Sequence, residues 1–190
     1  MKILKKITIL LFISALIFNS CSSNDDNPEL VIEEEVITTV TVTLTPEAGG
    51  TDIVLESVDL DGDGPDAPVV SVSGNLDANT TYNGSIVLLN ETESPAENIT
   101  EEIEELDEEH QFFYSTTSGI ATFEYNDTDA NGNPIGLDFL LTTSTSAASG
   151  TITIILRHLP NKDGENVSDG DITNAGGETD VSVTFSVSVQ

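Results

Sequence analysis

Alternation is the pattern that most restricts what this chain can fold into. Along residues 179–189, Val181, Val183, Phe185, Val187 and Val189 fall on every second position, with small polar residues between them. Side chains two apart share one face of a strand, so this segment can bury one face and wet the other but cannot form a helical apolar stripe. The first folded stretch has the same period: Val36, Thr38, Val40, Val42 and Leu44 share a face, and Ile37 with a row of threonines takes the other. Between them, strands are predicted at residues 53–60, 69–73, 82–89, 112–116, 120–125, 137–143 and 151–156, bounded by Gly, Asn, Asp and Ser clusters. One helix interrupts the series. Ser94-Pro95-Ala96-Glu97 offers an N-cap, a proline for the first helical position and a capping-box glutamate, and Ile99, Ile103 and Leu106 then recur on one face. The other face is almost all glutamate, so packing of the stripe has to hold the helix against like-charge pairs at i,i+4. Residues 161–177 read as a long acidic loop. Nine strands and one helix fit a mainly β fold, a single immunoglobulin- or fibronectin-like β-sandwich over residues 36–190.

Residues 1–21 do not belong to that pattern. Lys2, Lys5 and Lys6 form a basic start, residues 7–18 are mostly apolar, and Asn19-Ser20-Cys21 ends on the only cysteine in the chain. This reads as a bacterial lipoprotein signal peptide over residues 1–20 with Cys21 as the lipid acceptor. The apolar run falls short of the roughly 20 residues that span a bilayer. An ordinary secretory signal with an incidental cysteine is the other reading, and the rarity of a free thiol in exported proteins weighs against it. Residues 21–35 are polar and acidic with a single proline, Pro28, a composition that cannot bury enough apolar area to order itself and so predicts a disordered tether. Its start, Ser22-Ser23-Asn24-Asp25-Asp26, resembles the acidic post-cysteine export signals of Bacteroidota surface lipoproteins. A plain flexible spacer on a protein facing the periplasm is the alternative. The expected location is thus the cell envelope, at the outer membrane, surface-exposed or periplasm-facing.

Charge narrows the partners. Every Asp and Glu lies after Cys21, where two basic residues face 34 acidic ones, a formal charge of −32. That excludes nucleic acid and makes anionic lipid head groups poor partners for the folded body, leaving acyl chains on Cys21 as the membrane attachment. Self-repulsion of this size favours a soluble monomer and strains the compact state, and divalent cations relieve it.

Leu76, Thr80 and Tyr82 resemble the L-x-P-x-T-x-Y run of fibronectin type III domains, with Ala78 where that family has proline. The resemblance implies a tyrosine corner, in which the Tyr82 hydroxyl bonds to backbone a few residues upstream. Over most of its length the chain also resembles small acidic Bacteroidota lipoproteins commonly labelled "type 1 periplasmic binding fold superfamily protein". The residues that carry this are Asp59-Leu60-Asp61-Gly62-Asp63-Gly64-Pro65, Leu88-Leu89-Asn90-Glu91, Ser94-Pro95-Ala96-Glu97, Glu109-His110-Gln111-Phe112-Phe113-Tyr114, Leu156-Arg157-His158 and Gly176-Gly177-Glu178-Thr179-Asp180. The label implies two α/β lobes built from repeated βα units. A chain with one helix cannot supply them, so the strand pattern takes precedence.

Signatures of catalysis are absent: there is no G-x-S-x-G elbow, no P-loop and no G-x-G-x-x-G, so no enzyme activity is expected. Two loops have the alternating oxygens and bend glycine of the first half of a calcium site, Asp59, Asp61 and Asp63 with Asp66 beyond them, and Asp127, Asp129 and Asn131 with Asp138 as a remote carboxylate. Neither has a glutamate at the twelfth position, and Asp, Asn and Gly also make ordinary hairpin turns. His110 and His158, the only histidines, sit beside charge, with Asp107, Glu108 and Glu109 before one and Arg157 before the other. His110 also continues the Ile99, Ile103, Leu106 stripe, which fits a partly buried structural histidine. Two imidazoles with a carboxylate such as Glu109 make a transition-metal site if the fold brings them together, which sequence separation leaves open. The expected function is a non-catalytic, cation-dependent binding or accessory module for an outer-membrane uptake system or surface assembly. An adhesion or structural module and a hydrolase of envelope or extracellular polymers are the alternatives.

Overall fold

The computed structural model describes residues 35–62 and 64–190. The predicted signal peptide, the predicted lipid acceptor Cys21, nearly all of the predicted tether and the calcium candidate Asp63 lie outside the described residues. The nine predicted strands form, and a two-residue strand joins them. In order they are β1 (Thr39–Pro46), β2 (Ile53–Val58), β3 (Val69–Val72), β4 (Thr81–Asn90), β5 (Glu97–Asn98), the helix α1 (Ile99–Glu105), β6 (His110–Thr116), β7 (Ala121–Tyr125), β8 (Asp138–Thr143), β9 (Ala148–His158) and β10 (Glu178–Val189).

They make two antiparallel sheets. One has the order β3-β2-β1-β4-β8-β7 with β5 added to β4, and the other is β10-β9-β6. Val40, Val42 and Leu44 of β1, Ile86 and Leu88 of β4 and Phe139 and Leu141 of β8 meet Phe112, Ile152, Ile154, Leu156, Val183 and Phe185 of the smaller sheet in one core. The alternation read from the sequence is therefore what builds the sandwich, and no pair of α/β lobes forms among the described residues. Tyr82 is buried, and its hydroxyl accepts the Asp77 N–H at 2.7 Å. That bond anchors the crossing from residues 76–78, which pair with the end of β10, into β4.

The helix begins later than its capping signature predicts. Glu97 and Asn98 pair with Asn90 and Leu89 of β4, so the ladder takes the residues assigned to the first turn and Asn98 becomes the N-cap without a side-chain cap bond. Ile99 and Ile103 are buried as expected, while Leu106 is half-exposed and ends the helix. The acidic loop 161–177 is ordered against the sandwich. Val167 and Ala175 are buried with Phe113 in a second small core, and Gln111 of β6 donates to the Val167 carbonyl at 2.9 Å.

Candidate metal centre

The antiparallel register of β6 and β9 sets His110 directly opposite His158. Both face the sandwich interior, in phase with Phe112 and Leu156, and close one end of the core. Their ring centroids are 4.7 Å apart. Each histidine reaches its place for a local reason. The chain leaves α1 through a single 3-10 turn, Asp107–Glu109, and His110 then opens β6 with its Nδ1 at 3.0 Å from the Leu106 carbonyl. A carbonyl oxygen only accepts, so Nδ1 donates to it, and Nε2, hydrogen-bonded to Glu35 Oε1 at 3.1 Å, is the nitrogen that a metal ion would take. His158 ends β9, where the Leu159 N–H donates to the Glu109 carbonyl at 2.6 Å and ties the two strand ends together.

Two carboxylates complete the group, neither of them expected as a ligand from the sequence. Asp180 sits where the β10–β9 register shifts between Thr179 and Val181. Strict alternation would turn Asp180 outward beside the inward Val181, but the irregularity brings both toward the interior, and the Asp180 side chain is 1% exposed. Glu35 comes from the segment ahead of β1. Thr38 fixes that segment, with its N–H and hydroxyl both on the Leu89 carbonyl and its Oγ1 accepting the Glu91 N–H. The Glu35 side chain is 4% exposed, so the residue taken as the last of the tether belongs with the folded body.

Glu35, His110, His158 and Asp180 bring one ligand atom each within 4.8 Å of one another, the one such group of three or more among the described residues. Around the group, His110 Nε2 lies 3.1 Å from Glu35 Oε1 and 4.0 Å from Asp180 Oδ2. His158 Nδ1 lies 3.5 Å from Glu35 Oε2 and 3.7 Å from Asp180 Oδ1. A tetrahedral zinc with bonds of about 2.0 to 2.1 Å sets its ligands about 3.3 Å apart, so a group spread over as much as 4.8 Å has to draw in by up to roughly 1.5 Å to hold one. With neutral imidazoles the two carboxylates carry two negative charges, which one divalent ion cancels. His158 Nδ1 and Glu35 Oε2 are buried and make no hydrogen bond, an arrangement that costs free energy until something bridges them. The cluster can hold a metal ion.

Glu109, the carboxylate proposed as a ligand from its position beside His110, stands outside this ring. Its Oε2 is 3.7 Å from His158 Nε2, the nitrogen pointing away from the cluster, and the side chain is 46% exposed. At that distance it makes no hydrogen bond to the ring, whereas the Leu106 carbonyl holds His110 Nδ1 at 3.0 Å. Behind His158, Arg157 donates to the carbonyls of Gly176 and Gly177, and a Cβ on Gly177 would meet the His158 carbonyl at 2.2 Å.

The predicted calcium loops fare differently. In the second loop, Asp129 Oδ1 accepts the N–H groups of Asn131 and Asn133, and Oδ2 takes the Lys162 ammonium at 2.9 Å. Burial pushes the Asp129 carboxyl up, but the Lys162 bond and the amide bonds outweigh it, and the group titrates below the usual carboxylate range. Asp127 accepts the N–H groups of Gly136 and Asp138. A lysine and four amides thus already engage the oxygens of Asp127 and Asp129, and Asn131 contributes its backbone N–H. Burial first and the neighbouring Asp127 carboxylate second push the Asp138 carboxyl up. In the first loop Asp61 Oδ2 accepts the Asp66 N–H at 3.2 Å, while Asp59 Oδ1 is buried without a hydrogen bond.

Compared with known protein families, curated proteins and solved structures, the chain matches none. No helix among the described residues is long and apolar enough to cross a membrane.

Proposed function

We propose that this chain is a lipid-anchored cell-envelope protein that binds a divalent transition-metal ion and acts as a non-catalytic binding or accessory module. The observation that supports the metal reading is the ring of Glu35, His110, His158 and Asp180, with His110 Nδ1 held from outside by the Leu106 carbonyl. Three imidazoles or a thiolate set are the commoner zinc shells, but two imidazoles with two carboxylates suit zinc, copper or iron. All four side chains are less than a tenth exposed, which favours retention of the ion over reaction at it. The location rests on residues 1–21 and the excess of acidic residues. An accessory role in uptake or surface assembly fits a cation-holding domain on a lipid anchor.

Zinc or copper titration of the full chain should give one saturable site, abolished by His110→Ala and by His158→Ala alike. Stoichiometry below one, or loss with only one of the two variants, would dissolve the shared centre. Location has its own check. Cys21→Ser should move the protein from the membrane to the soluble fraction, and native mass spectrometry should find acyl chains on Cys21; an unmodified N-terminus removes the anchor.

A further inference from the structure

The metal centre has an inside and an outside, and they are made of different chemistry. Glu35 and Asp180 line a cleft of about 510 Å³, whereas neither histidine does. Asp59 and Asp61 line the same cleft, so its charged groups among the described residues are four carboxylates and no cation. They are graded in depth: Asp61 is exposed, Asp59 is half-buried with its Oδ1 lacking a hydrogen bond, and Glu35 and Asp180 are enclosed at the metal ring. Much of the rest of the wall is apolar, with Val36 and Leu60 exposed and Ile37 and Val181 behind them.

We propose that this cleft is the path by which the ion reaches the metal centre, with Asp59 as the relay carboxylate between solvent and the Glu35–Asp180 pair. The proposal rests on the metal reading given above and adds its route and the form of its cargo. A cleft of one sign with low-dielectric walls focuses its field on the axis and raises the local concentration of opposite charge. Six waters at about 30 Å³ each fit inside the volume, so a hydrated ion can advance to Asp59 before losing its shell. The orphaned Asp59 oxygen offers a replacement for a departing water at that point, and apolar neighbours offer none that would hold the ion there. The carboxylate lining also selects the cargo. A free cation or a neutral complex is drawn in, and a negatively charged chelate is turned away.

Stopped-flow mixing of zinc with the full chain tests this. In unaltered protein the association rate should fall steeply with ionic strength, and zinc presented as an excess-citrate complex should bind more slowly than the aquo ion at equal free zinc. Asp59→Asn should lower the association rate about tenfold at low salt and flatten its salt dependence, with dissociation into a chelator slowed as well. Glu124→Gln, an equal charge change on β7 at the opposite edge of the large sheet, should leave both rates unchanged. Ser57→Leu adds bulk to a buried position in the cleft wall without altering charge, and should slow association at every salt concentration. Saturable zinc binding with rates indifferent to both Asp59→Asn and Ser57→Leu would overturn the path while leaving the centre intact. Failure of the unaltered chain to bind zinc would remove the centre and the path together.

Discussion

Lys162 shows how one side chain can decide what a loop is for. It is one of two basic residues after Cys21, and its ammonium is buried between the Asp129 carboxylate and the Asp107 carbonyl. A loop whose sequence offers oxygens to calcium is instead closed by a cation the chain already carries. Removing that cation strands a buried carboxylate, so Lys162→Met should cost about 3 to 5 kcal/mol in urea unfolding, and adding Asp129→Asn should recover part of the loss. The pH dependence follows from the lowered Asp129 pKa. Its stabilisation is present above the unfolded carboxylate value of about 3.9 and is lost as pH falls through the lower folded value. Acid titration of unfolding should therefore show a component below about pH 4 that the Lys162→Met variant lacks. Gly177 is a second residue of this kind. Its φ of +68° and the close His158 carbonyl leave no room for a side chain, so Gly177→Ala should displace the β9 end and weaken zinc binding without replacing a ligand.

At the scale of elements, the sequence was read well where local pattern and tertiary demand agree. The alternations of β1 and β10 each bury an inward row, and the Leu76, Thr80, Tyr82 spacing ends in a hydroxyl bonded to Asp77. The helix start was misplaced because Glu97 and Asn98 gain more from the β4 ladder than from a capping box. The site was half legible. His110 and His158 stood out as the only histidines, but their register belongs to β6 and β9 together and no single strand encodes it. Asp180 was hidden by the regularity of its own strand, since period two assigns it outward and only the irregularity turns it in. Glu35 was hidden by composition, as the last of three consecutive glutamates before a strand. A residue that reaches its site through an irregularity should be sensitive to position as well as type. Moving the carboxylate one place, with Asp180→Ser and Thr179→Asp, should lose zinc binding as completely as Asp180→Ala does, and calorimetric titration of the two variants side by side checks it.

For the whole molecule the deciding quantity is charge. A body at −32 after Cys21 keeps two carboxylates against two histidines at the closed end of its core, so an ion bound there should do more than fill a site. It adds to the backbone ladder that already pairs the start of β6 with the end of β9 and the beginning of β10, and it joins the segment ahead of β1 to them through Glu35. If the unfolded chain does not bind, stabilisation follows RT ln(1 + [L]/Kd), about 2.7 kcal/mol at a hundredfold excess over Kd. For a domain of this size that is a melting shift of about 5 to 10 °C, within easy reach of a thermal scan. Plain relief of self-repulsion predicts something different, a smaller shift that calcium, magnesium and matched ionic strength produce alike. The two contributions separate in His110→Ala. That variant should keep the shift common to all divalent ions and lose the increment specific to zinc or copper. Asp127→Asn, in the loop already closed by amides and Lys162, should keep both. A zinc increment that survives His110→Ala would place the ion on the acidic surface and return the buried cluster to a set of ion pairs that hold the sandwich shut.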